Sequence, residues 1–125
     1  MPKQQARELL AAADVGLHLL RPDPVFASAL PTKVLEYLGA HRAFITTVPG
    51  LPERIALESG GGFAPDAAGL AEEIGRWAGM TPDERAAHGE QAFAYGEQHY
   101  GLEATVDRLE ELLMRTIARA DKKRR

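Results

Sequence analysis

Val15-Gly16-Leu17-His18-Leu19-Leu20, then Pro31-Thr32-Lys33-Val34-Leu35-Glu36-Tyr37-Leu38-Gly39, then Arg42-Ala43-Phe44-Ile45-Thr46-Thr47-Val48 are the stretches that decide the fold. The first is an apolar run of strand length. Arg21-Pro22-Asp23-Pro24 breaks it, because two prolines so close together admit no regular element, and a loop runs on to Leu30. Pro31 stands where a helix accepts proline, in the first turn, and Gly39 closes that helix. The third stretch is rich in β-branched and aromatic residues and reads as a second strand. Strand, helix and strand in succession make a parallel βαβ unit.

Working outward, Ala6, Leu9, Leu10 and Ala13 fall on one helical face and predict a helix over 4–13. Pro49-Gly50 is a turn, Leu51 to Glu58 a short helix, and Phe63-Ala64 a brief third strand. A helix over 68–79 should face Leu70, Ile74 and Trp77 inward. Thr81-Pro82-Asp83-Glu84 has the form of a capping box and opens a helix to about His99. After a break at Tyr100-Gly101, a last helix over 102–119 carries Val106, Leu109, Leu112, Leu113 and Ile117. The expected fold is α/β: a partial Rossmann-like, doubly wound lobe with a small parallel sheet of about three strands, covered on both faces. Residues 1–120 form the domain and 121–125 a basic tail.

Composition narrows the function. The chain has 125 residues, 45% hydrophobic and 26% charged, as expected of one globular domain able to bury a core. It has no cysteine, so no disulfide framework and no thiolate metal or redox chemistry, and a cytoplasmic setting is the default. A net charge of −3 argues against nucleic acid as partner. No apolar run approaches the roughly 18 residues of a membrane span, and Met1-Pro2-Lys3-Gln4-Gln5 does not open a signal peptide. The four histidines have no metal-ligand spacing, and no metal or cofactor is expected. His18, in the apolar run, reads as a hydrogen-bonded interior residue, although its place near the strand's carboxyl end keeps it a site candidate. Trp77, Phe93, Tyr95 and Tyr100 read as packing residues, and Gly60-Gly61-Gly62 as a helix-to-strand turn.

In doubly wound folds ligands sit beyond the carboxyl ends of the strands, beside helix N-termini. The segment from Ser28 to Tyr37 lies there. A helix N-terminus presents unpaired N–H groups and the positive end of the helix dipole, which suit phosphate. Thr32 adds a hydroxyl and Lys33 a point charge. Glu36, one turn deeper on the same face as Thr32, can accept two hydrogen bonds from a ribose diol. The same residues also suit an ordinary first helical turn with no ligand, and spacing alone does not choose.

Ala13-Asp14-Val15-Gly16-Leu17, Pro31-Thr32-Lys33-Val34-Leu35-Glu36-Tyr37-Leu38-Gly39-Ala40 and Phe44-Ile45-Thr46-Thr47-Val48-Pro49-Gly50-Leu51-Pro52-Glu53 together resemble the donor lobe of bacterial GT-B glycosyltransferases. More narrowly, they are similar to the family-four enzymes of polysaccharide and lipopolysaccharide assembly. Gly60 to Phe63 and the Leu70-Ala71-Glu72-Glu73-Ile74 helix fit the same pattern. The likeness spans roughly residues 4–113, with 31–40 its most specific part.

The resemblance implies a nucleotide-sugar donor of the UDP or GDP type, with Glu36 on the ribose hydroxyls, Pro31, Thr32 and Lys33 by the diphosphate, and no metal. Ser28 stands where many members carry a first glutamate, so that donor-sugar contact lacks its carboxylate. The family's earlier strands, its basic pair and its acceptor lobe have no counterpart, which implies a chain inactive by itself. The first strand should then be a bare sheet edge, open to a partner carrying the missing strands or to a second copy. Many of the enzymes it resembles act on lipid-linked acceptors, so the basic tail is a candidate for peripheral contact at the inner membrane face. Two other readings stay open: a non-catalytic binding or assembly module, and part of a GT-B sugar-nucleotide epimerase.

Overall fold

A computed structural model describes residues 2–21 and 23–124. Pro22 of the proline loop and the terminal Met1 and Arg125 lie outside the described residues. The order is α1 (Lys3–Ala12), β1 (Gly16–His18), a 3₁₀ turn (Pro24–Ala27), α2 (Thr32–Gly39), β2 (Phe44–Thr46), α3 (Leu51–Glu58), β3 (Gly62–Phe63), α4 (Ala67–Ala78), α5 (Pro82–Tyr100) and α6 (Leu102–Arg124). The chain is α/β, with a small open parallel sheet in the order β1-β2-β3, consistent with a partial Rossmann-like lobe.

Gly16 pairs in register with Phe44, and both face α2. The Tyr37 ring lies over Gly16, where a Cβ would come within 2.7 Å of it, and stacks with Phe44 at 6.2 Å between centroids. Only glycine leaves room for that ring. Phe44, Ile45, Val34, Leu38 and Ile55 are fully buried and form the heart of the core. Both crossovers step the same way along the parallel order β1-β2-β3, and with the right hand general to such connections α2 and α3 fall on one face of the sheet. On the opposite face Leu17 remains 39% exposed, so the expected cover on both faces fails at β1.

The strands are shorter than the runs of apolar sequence suggest, because a strand extends only as far as its neighbour's ladder. Leu19 and Leu20 run past β2 and are exposed. Arg42 precedes β2 and turns back, its guanidinium donating to the carbonyls of Leu10 and Ala11. A cation there satisfies the last carbonyls of α1 and complements its dipole.

The α5 helix locks the amino ends of the strands. Its N-terminus carries the expected capping box: Glu84 N–H donates to Thr81 Oγ1 and Thr81 N–H to the Glu84 carboxylate, both at 3.1 Å. Along α5, Phe93 stacks flat on His41 at 3.8 Å, His88 Nδ1 meets the Gly60 carbonyl at 2.8 Å, and Tyr95 donates to Glu58 at 2.8 Å. The turns entering β2 and β3 are thereby fixed, which leaves the carboxyl ends as the open end of the sheet. In α4, Trp77 is buried as expected, but Ile74 points outward at 44% exposure. That helix is covered along a stripe too narrow to include it.

The last helix departs most from expectation. It runs to Arg124, so Lys122 to Arg124 are its final turn rather than a separate tail. From Thr105 to Arg124 every residue is exposed.

Candidate functional site

Three helix N-termini matter to the open end of the sheet, and they differ in how their N–H groups are satisfied. Asp66 caps α4, accepting from Gly69 N–H at 2.7 Å. At α3, Glu53 reaches back to Gly50 N–H at 3.3 Å. At α2, Pro31 occupies the capping position and makes no side-chain cap. A proline there has no oxygen to offer, so the first-turn N–H groups of Thr32 and Lys33 stay open to an anion.

Beside that turn lies a cavity of about 480 Å³ lined by His18, Leu19, Leu20, Pro31, Thr32 and Lys33. A second, of about 430 Å³, shares Leu20 and runs over Arg21, Asp23, Val48, Pro49 and Phe63. Arg21 brings a cation to this end of the sheet that the sequence reading passed over; the signal was its position, directly after the first strand. A third cavity, of about 400 Å³, opens between α1 and α2 and takes Lys33, Glu36, Tyr37 and Arg42.

The structure therefore brings Pro31, Thr32 and Lys33 together at the carboxyl ends of the strands, while Glu36 lines the neighbouring groove along α1. Lys33 borders both. Ser28 is exposed, ends the 3₁₀ turn and lines none of these three cavities. The expected first-turn cluster is a path around the N-terminal end of α2 rather than a single pocket.

His18 closes the floor. It is 4% exposed, and its Nδ1 lies 2.9 Å from Thr46 Oγ1. Thr46 Oγ1 also accepts from Val48 N–H at 3.0 Å, so one hydroxyl joins the ring to the turn that follows β2. Burial, then the positive charge of Lys33, lowers the His18 pKa from its usual value, so the ring is neutral in the fold. Thr46 had no signal in the sequence beyond its β-branched character, because the pairing joins residues 28 apart.

The sign of the pH dependence follows. The unfolded imidazole titrates near 6.5 and the folded one lower, so below about pH 6.5 the unfolded chain takes up a proton that the native chain refuses. Stability should be flat above that pH and fall below it. Urea unfolding at pH 7.5 and 5.5 checks this. The loss should shrink in His18→Asn, whose amide can still hydrogen-bond Thr46 but does not titrate.

Among the described residues no strand pairs with the outer edge of β1. Gly16 N–H donates to the Ala43 carbonyl and the His18 carbonyl accepts from Thr47 N–H, so Leu17, between them, turns its backbone outward. The Tyr37 hydroxyl donates to the Leu17 carbonyl at 2.8 Å and satisfies that one edge acceptor. Among the described residues no helix is long and apolar enough to cross a membrane. No protein-family model, curated protein or solved structure matches this chain.

Proposed function

We propose that this chain is the donor-binding part of a glycosyltransferase, taking a nucleotide diphosphate sugar of the UDP or GDP type whose sugar passes to a hydroxyl acceptor. The observation that carries the reading is the uncapped N-terminus of α2, with Thr32 and Lys33 beside the carboxyl ends of a parallel sheet. A diphosphate there meets free N–H groups, the helix dipole and an ammonium, which together stabilise the charge that develops on a departing nucleotide. Glu36, around the helix, offers the ribose an acceptor carboxylate. The chain supplies no acceptor site or catalytic base in this reading, so transfer requires the missing lobe.

A thermal-shift titration with UDP, GDP, ADP and dTDP tests it. One nucleotide should raise the melting temperature, by the equivalent of about 2.7 kcal/mol at a hundredfold excess over its Kd. The shift should vanish in Lys33→Ala and in Glu36→Ala. Both side chains are exposed, so neither change should cost more than about 0.5 kcal/mol of intrinsic stability. A flat response to all four nucleotides would sink the reading. It would leave the assembly module, which the bare β1 edge and exposed Leu17, Leu19 and Leu20 favour.

A further inference from the structure

The α6 helix has 23 residues, a length of about 35 Å, and beyond Ala104 it lies against nothing in the chain that buries it. Arg108 ties its start to the His99 carbonyl at the end of α5. Leu102, Val106, Leu109 and Leu113, followed by Thr116 and Ala120, recur at alternating steps of four and three. That is the seam of a two-stranded coiled coil, with Leu112 and Ile117 on its flanks. Val106, Leu109, Leu113 and Ile117 are 42–56% exposed. Single exposed leucines mean little, but a continuous apolar stripe of this length calls for a cover.

Charge identifies the cover. Residues 102–112 hold Glu103, Asp107, Glu110 and Glu111 against Arg108, a net of −3. Residues 113–124 hold Arg115, Arg119, Lys122, Lys123 and Arg124 against Asp121, a net of +4. Two copies of α6 running side by side in the same direction would set like charge against like. Run in opposite directions about a twofold axis near Leu113, each acidic half faces the other's basic half, and the two leucine seams meet. An anionic lipid surface would repel the acidic half, which lies along the same stripe. We infer that α6 is a self-association element: two copies of this chain pair through an antiparallel α6 coiled coil, an isologous contact that closes on itself. The pairing is independent of what the sheet end binds and uses a surface distinct from the β1 edge.

Sedimentation equilibrium of the whole chain up to about 100 μM should show a monomer–dimer equilibrium, weakened by salt. Leu109→Glu with Leu113→Glu should raise its dissociation constant at least about 100-fold. Circular dichroism should still show a folded α/β chain, since both side chains are exposed. The absence of cysteine allows a clean orientation test. Glu103→Cys should form disulfide dimers when mixed with Lys123→Cys, and little with itself. A chain that stays monomeric overturns the inference, and so does a monomer that instead binds phosphatidylserine vesicles. A dimer unaffected by the leucine variant places the contact elsewhere, and self-linked Glu103→Cys refutes the antiparallel arrangement.

Discussion

Replacing Phe44 by alanine should cost about 4 kcal/mol of stability. Phe44 has no exposed surface, lies in the central strand and stacks with Tyr37 on the face that α2 covers. Truncation removes the ring's transfer free energy and opens a cavity that the neighbourhood cannot close, because both neighbours are held. Tyr37 is tied to the β1 edge through its hydroxyl, and the Phe44 carbonyl faces Gly61 so closely that a Cβ there would approach it within 2.0 Å. Domains of this size are stable by only about 5–15 kcal/mol, so the variant should unfold at a much lower urea concentration, if it folds at all. A loss under about 1 kcal/mol would mean that β2 is not the centre of the core.

Gly89→Ala should also destabilise, and here the expected sign opposes the intrinsic one. Gly89 sits inside α5, where alanine would ordinarily favour the helix by about 1 kcal/mol. A Cβ at Gly89, however, would lie 2.2 Å from the His41 carbonyl oxygen, a backbone atom in the turn entering β2. That turn cannot yield easily. His41 holds a left-handed backbone, φ 58°, and its ring is pinned between Phe93 and Glu90, both on α5. A backbone clash this close belongs at the upper end of the about 1–3 kcal/mol that overpacking costs, so after the gain of about 1 kcal/mol in helix propensity a net loss of about 2 kcal/mol is expected. The melting temperature should fall by about 8 °C. Gly75→Ala is the control, since nothing lies within 4 Å of a Cβ there and the helix propensity should show its ordinary sign. If both variants gained stability, α5 would not lie against the 40–43 turn as described.

These two residues also show what could be read from sequence. Phe44 announced itself by composition, as part of a strand between two turns. The close approach of Gly89 had no sequence signal, because its partner is the backbone of residue 41 and a carbonyl oxygen leaves no trace in residue type. The site divides the same way. Pro31 at the start of a helix was legible, but it takes the capping position rather than the first turn, and only the structure shows α2 without a side-chain cap. That Glu36 lines a groove with α1 while Thr32 lines the cavity at the strand ends depends on where α1 and the β1 edge lie. Likewise His18 read as an interior residue, while its partner Thr46 came from the parallel register.

The sequence by itself determined the order of elements, their handover points and the parallel character of the sheet. Proline, glycine and capping residues act on the few residues beside them, and apolar periodicity is a property of one segment. Tertiary structure decided how long each strand is, which face of α4 is covered, that Glu36 and Thr32 line different cavities, and that α6 stands clear of the body. Each of those outcomes depends on a surface contributed by a residue far away in the chain, or, for the apolar stripe of α6, on a surface the chain itself does not cover.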